Sequence, residues 1–364
     1  MISNIRRMMH KVARSSFQII SDLFVRILSL ADDKGYRILG FISMSFSRFF
    51  PYYFTNRLVP KYPTSQAEGT IHISNIDDVA IVIQGVLTLK DEYTLETVKL
   101  YKQLFGGAKI IVSTWDYSDP CVVDLIRNEG CDVILNKAFK PSGFGNVNYQ
   151  ICTSLAGIRK AKELGAKYTI KTRTDQRVCK KTALSFLKNL VNTFDVKDDR
   201  NLIGLNGRIV ALSGSLLLPL YFTDYFYFGY TEDMEKLFDI PYEPRDIPSS
   251  QKYYGKTYGW KFSADKFYVD IPAEVYIISQ FLQKYMSIEY TVNFYWDIIK
   301  KYFITIDYED IGLLWPKYGY NLLPWDAEHN SLSTFMAILA NDLEYDYNYE
   351  NYQKQLIIDI TRFS

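Results

Sequence analysis

The densest concentration of chemically useful side chains lies at Lys167–Arg177, read as KYTIKTRTDQR. Tyr168, Thr169 and Ile170 are β-prone, and Gly165 just before them ends a helix-like run. Beyond Ile170 the charges alternate: Lys171, Arg173, Asp175 and Arg177. An extended backbone would put all four on one face. Three cations around one carboxylate suit an anionic ligand, and Asp175 could hold a divalent metal between itself and that ligand. A nucleotide-diphospho-sugar calls for that arrangement. The competing reading is a solvated strand end carrying surface ion pairs.

The elements that must position this stretch have a regular order. Val79-Ala80-Ile81-Val82-Ile83 is an unbroken apolar run of strand length, as expected of a parallel strand buried on both faces. Glu92–Phe105 reads as a helix with Val98, Tyr101, Leu104 and Phe105 on one side. Ala108–Val112 is a second strand, 119–128 a helix, and Asp132–Leu135 a third strand. Asn148–Glu163 is a helix with Ile151, Leu155 and Ile158 inward, and Tyr168–Lys171 is the fourth strand. Strand and helix alternating three times predict an α/β layer with a parallel sheet. Ligands of such sheets bind beyond the carboxyl ends of the strands. Gln84, Gly85, Ser113, Thr114, Trp115, the Ser142–Gln150 loop and Lys171–Arg177 all fall there. No GxGxxG follows the first strand, and no GK[ST] loop or GxSxG elbow is present.

The 364 residues are 48% hydrophobic and 23% charged, a globular composition long enough for one large domain plus extensions. Charge is uneven. Residues 1–62 carry ten Lys and Arg against three Asp, and the remainder 32 basic against 38 acidic residues. An acidic body of this kind is not a nucleic-acid binder. In the basic segment, Phe17–Leu30 confines Gln18, Ser21, Asp22, Arg26 and Ser29 to one narrow helical stripe. That pattern fits a helix lying on an anionic membrane surface, or a helical hairpin packed on the main domain. No leader-type cleavage pattern and no transmembrane-length apolar run is found. Cys121, Cys131, Cys152 and Cys179 form no CxxC pair, and with three histidines no zinc spacing arises. Four reduced thiols and a cytoplasmic protein are expected. The expected organisation is a basic amphipathic segment at 1–62, a linker at 63–77, a catalytic domain at 78–340 and a tail at 341–364.

The second half is less periodic. Leu202–Leu218 reads as one or two strands. Tyr221–Tyr230 holds seven aromatics around Asp224 and Gly229. Such a run stacks on sugars or, more commonly, fills a core. A helix starts near Asp270 and runs through Gln283, with Pro272 and Glu274 in its first turn. Glu274 there either caps the helix or serves as a catalytic base, held ionised by the helix dipole.

Taken together, IVIQG (81–85), STW (113–115), GNVNYQICTSLAGIRKAKELGAKYTIKTRTDQR (145–177), DYFYFG (224–229) and PAEVYI (272–277) resemble the WavE lipopolysaccharide-synthesis family. The resemblance covers about residues 78–320, one domain of ordinary size. It implies a nucleotide-diphospho-sugar transferase fold of the GT-A type and sugar transfer onto a lipopolysaccharide core or capsule precursor. The site would be the cytoplasmic face of the inner membrane. The usual metal motif of that fold is Asp-any-Asp, whereas this chain has Arg173-Thr174-Asp175. Arg173 or Lys171 could therefore neutralise the leaving diphosphate in place of a metal.

The expected site follows. Base and ribose of a nucleotide-sugar donor lie near Gln84, Gly85, Thr114 and Trp115, with Asn148 and Gln150 contributing from their loop. The diphosphate meets Lys171, Arg173, Arg177 and Asp175, with Mg²⁺ or Mn²⁺ on Asp175 if a metal is used. Glu274 takes the acceptor proton, with Asp224 next in line. The acceptor is a lipid-linked oligosaccharide or lipopolysaccharide. A sugar nucleotidyltransferase and a non-catalytic membrane-docked assembly protein are the alternatives.

Overall fold

The computed structural model describes residues 76–196, 202–212, 220–247, 273–289 and 291–315. The expectations for the basic segment 1–62, most of the linker, Pro272 and the 341–364 tail lie outside the described residues.

Strand β1 (Val79–Gln84) is followed by a 3-10 turn, Lys90–Glu92, and helix α1 (Tyr93–Leu104). Then come β2 (Lys109–Trp115), α2 (Pro120–Asn128) and β3 (Asp132–Asn136). Asp119 caps α2 by accepting the Cys121 amide at 2.9 Å, which places Pro120 in the first turn where its missing N–H costs nothing. A two-residue strand β4 (Gly143–Phe144) leads into α3 (Val147–Glu163), then β5 (Tyr168–Arg173) and the short β6 (Arg177–Val178). The later elements are α4 (Ala183–Thr193), β7 (Ile209–Leu212), β8 (Tyr227–Tyr230), α5 (Thr231–Phe238) and β9 (Asp246–Ile247). The described part closes with α6 (Ala273–Gln283), α7 (Val292–Tyr302), β10 (Phe303–Ile306), α8 (Tyr308–Ile311) and β11 (Leu313–Leu314).

The central sheet has seven strands in the order β10-β7-β8-β5-β1-β2-β3. The α/β class and mainly parallel sheet expected from the sequence are both present: β3, β2, β1 and β5 run parallel. The unforeseen feature is β8, inserted antiparallel between β5 and β7. Because it runs backwards, the residues leading into it lie at the same edge as the carboxyl ends of its neighbours. Lys171 pairs with Tyr227, so Asp224 arrives beside the end of β5.

The sheet is buried on both faces, which is why β1 is apolar without alternation. Ala80 and Val82 join the core formed with α3, α5, α6 and α7. Val79, Ile81 and Ile83 join the core with α1, α2 and α4. Helix α3 lies close on β1 because Gly157 faces it. A Cβ there would meet Val82 Cγ1 at 2.3 Å, a distance no side chain tolerates. The aromatic run is largely core: Phe222, Phe226, Tyr227 and Phe228 are buried.

Candidate functional site

The site is assembled where β5 ends. The strand does not continue to Arg177. Thr174 turns the chain: its amide donates to Gln84 O at 3.1 Å, its hydroxyl to Val86 O at 2.5 Å, and its carbonyl accepts from Thr94 Oγ1 at 3.0 Å. Gly85, at φ +118°, permits the matching bend after β1, and a Cβ there would press on Thr174 Oγ1 at 3.3 Å. The turn brings Asp175 back onto Arg173. Nε and Nη2 of Arg173 donate to the two oxygens of Asp175 at 2.8 and 2.9 Å, a bidentate fork. The guanidinium also lies 5.1 Å from the centre of the Trp315 ring, which itself packs 4.9 Å from Tyr225.

Across the β5–β8 seam stand two carboxyls. Asp224 is half-buried, and its side chain has no hydrogen-bond donor among the described residues. Its backbone carbonyl accepts from Gln150 Nε2 at 2.6 Å and from Lys171 Nζ. Glu274, in the first turn of α6, keeps some accessible surface while its carboxyl is closely enclosed by protein, and it accepts from the Tyr221 hydroxyl at 3.2 Å. Burial, and secondly the Asp224 carboxylate, hold Glu274 well above the ordinary carboxylate range. Burial likewise pulls the Lys171 amine down to about 7, with Arg173 adding to the fall and Asp224 opposing it. The Tyr227 hydroxyl is buried here with no hydrogen-bond partner among the described residues.

The family profile for WavE lipopolysaccharide synthesis matches residues 79–338, a range that contains every side chain just described. The chain belongs to this WavE family. No curated protein matches it. Among solved structures, a cytidylyltransferase from Leptospira borgpetersenii serovar Hardjo-bovis (strain JB197) aligns with a TM-score of 0.31 and 13% identity, over 50% of this chain and 72% of that one.

For this WavE chain, the residues expected from the sequence to bind ligand separate into two groups. Gly85, Arg173, Asp175, Asp224 and Glu274 all have accessible surface at the carboxyl edge. The others are buried and occupied. Gln84 Oε1 accepts from Thr153, and Thr114 Oγ1 shares a hydrogen bond with Ser118. Trp115 is 2% exposed, covered by Tyr117 in parallel and Tyr149 edge-on, so the ring offered to solvent is Tyr117. Asn148 uses its whole amide as a latch, donating to Pro141 O and Glu243 O and accepting from Glu243 N. Gln150 and Lys171 hold the Asp224 backbone.

Three expectations need correcting. Arg177 is not on the face of Lys171 and Arg173, because the Thr174 turn ends the strand. It is buried under α1, stacked 4.4 Å from the Tyr93 ring, donating to Thr97 Oγ1 and Tyr93 O. Glu274 is not kept ionised by its helix start, because burial and Asp224 outweigh the dipole. Asp175 does not fit a divalent ion as placed. Both its oxygens face Arg173, and among the described residues no three His, Cys, Asp or Glu gather. Thr174 and Trp315 escaped the sequence reading, which took Tyr221 only as part of the aromatic run and not as the hydroxyl that meets Glu274. Thr174 sits inside the KTRTDQR element, yet its role depends on a partner strand ninety residues earlier.

Proposed function

We propose that this chain is a glycosyltransferase that moves a sugar from a nucleotide-sugar donor onto a lipopolysaccharide core or capsular acceptor. The observation that carries this reading is the meeting of an Arg173–Asp175 fork with the Asp224 and Glu274 carboxyls at the ligand edge of one sheet. Membership of the lipopolysaccharide synthesis family supports the class of acceptor. Asp224 is the base in this proposal, and Glu274 is its protonated neighbour. An acceptor hydroxyl gives its proton to the Asp224 carboxylate as its oxygen bonds to the anomeric carbon. The bond from that carbon to the donor phosphate oxygen breaks, and its electron pair leaves with the nucleotide. Attachment to the cytoplasmic face of the inner membrane through the basic segment 1–62 belongs to the same proposal. Among the described residues no helix is long and apolar enough to cross a membrane.

The test is a screen of UDP-, GDP-, CMP- and TDP-sugars with lipopolysaccharide acceptor extracts. Acceptor-dependent nucleotide release that disappears in Asp224→Asn is the expected result. Donor binding without release would favour a binding-only assembly protein. Pyrophosphate release from a nucleoside triphosphate and a sugar phosphate would establish a nucleotidyltransferase.

A further inference from the structure

We propose that Arg173, held in place by Asp175, neutralises the leaving diphosphate directly, and that Asp175 is a positioning residue and not a metal ligand. This rests on the glycosyltransferase reading above and names how that site handles the departing charge.

The guanidinium is fixed from two sides. Asp175 grips it through two parallel hydrogen bonds of 2.8 and 2.9 Å, and the Trp315 ring lies 5.1 Å from it. Asp175 is itself fixed, because the Thr174 turn is tied to the β1 loop and to α1, and Gln176 N closes it by donating to Arg173 O at 3.2 Å. A pre-set donor aimed at developing charge needs no reorganisation at the moment of reaction. A carboxylate behind a guanidinium cancels part of its net charge but fixes its plane, and at contact distance a phosphate reads the planar fork. A divalent ion, by contrast, takes about six oxygen ligands. To bind at Asp175 it would first have to displace Arg173 from both oxygens, and no further carboxylates gather there to make a set of three among the described residues. Lys171 offers no substitute cation at the surface, since it is fully buried and donates to the Asp224 carbonyl.

Calorimetric titration of the full chain with UDP, GDP, CDP and TDP, in MgCl₂ and in EDTA, tests this. The expected result is binding of at least one nucleoside diphosphate with the same affinity in both. Arg173→Ala should weaken it by about 10–100-fold, the worth of a charged hydrogen bond, and Arg173→Lys should recover only part. Asp175→Asn keeps one acceptor oxygen and should lose less than Asp175→Ala, with kcat falling along with any rise in the donor KM, since the fork meets charge that develops as the diphosphate leaves. Unchanged melting curves exclude unfolding, and Arg173→Lys serves as the probe if the alanine variant fails to fold. Binding that vanishes in EDTA and returns with Mg²⁺ or Mn²⁺, with Asp175→Asn as damaging as Asp175→Ala, would overturn the inference and leave the glycosyltransferase reading standing. Wild-type affinity in Arg173→Ala would overturn it in the same way. No nucleoside diphosphate bound under either condition would overturn the inference, while acceptor-dependent CMP release from a CMP-sugar would still leave the glycosyltransferase reading standing.

Discussion

The two sides of the β5–β8 seam make unlike contributions. On the β3-β2-β1-β5 side, the strands are parallel and alternate with helices along the chain, and they supply the Arg173–Asp175 fork through a turn clipped by Thr174. On the β8-β7-β10 side, one strand is reversed, and this side supplies Asp224 and, from α6, Glu274. The regular side presents a cation held by a carboxylate. The irregular side is aromatic, encloses the Glu274 carboxyl and raises its proton affinity. The lesson is that burial differs across one seam: the Arg173–Asp175 fork stays partly exposed, and the Glu274 carboxyl is enclosed.

The largest expected effect breaks the carboxylate side. In Asp224→Asn, kcat should fall by about 10²–10⁴-fold, the usual worth of a general base. Donor affinity and melting temperature should stay near wild type, since the backbone carbonyl that receives Gln150 and Lys171 remains. Steady-state kinetics with thermal melts check this, and a kcat within a few-fold of wild type would return the base to Glu274.

The second break falls on the regular side, at the cation that the structure moves out of the site. Arg177→Met should cost about 3 kcal/mol in urea unfolding, because it strips a buried hydrogen-bonded network under α1. Turnover per folded molecule should not change. A selective loss of donor binding would put Arg177 back in the site.

The pH dependence of stability sharpens the contrast. Glu274 holds its proton in the folded state over a range where an unfolded Glu has lost it. Its contribution is therefore complete below the ordinary Glu range and is lost as pH rises toward its raised folded value. Glu274→Gln should remove a slope of about 1.4 kcal/mol per pH unit over that window. Lys171 has the opposite sign. Its folded value of about 7 lies below that of the unfolded chain, so stability should rise with pH from about 7 to the ordinary lysine range. Lys171→Met should flatten that rise. Urea midpoints measured across pH for both variants test the two signs separately.

The smallest effect concerns the clip. Thr174→Val leaves Val86 O without its hydroxyl partner and should cost about 1 kcal/mol. It should also raise the donor KM, because Arg173 and Asp175 depend on the turn. An unchanged KM with lowered stability would mean that the fork holds itself.

The sequence alone determined the regular side. An unbroken apolar run means burial on both faces, and alternating strand and helix means a parallel sheet whose carboxyl ends carry the ligand edge. Residue types alone also marked Arg173, Asp175, Asp224 and Glu274, and the motifs marked the family. Tertiary structure alone decided what these side chains do. Periodicity along a chain says which residues share a face only while the backbone stays regular. The Thr174 turn, whose bonds reach back to β1 and α1, sends Arg177 beneath α1 and folds Asp175 onto Arg173. The protonation of Glu274 was equally beyond local reading. Its helix start favours ionisation, but burial and the nearby Asp224, brought there by the reversed β8, set the larger energies.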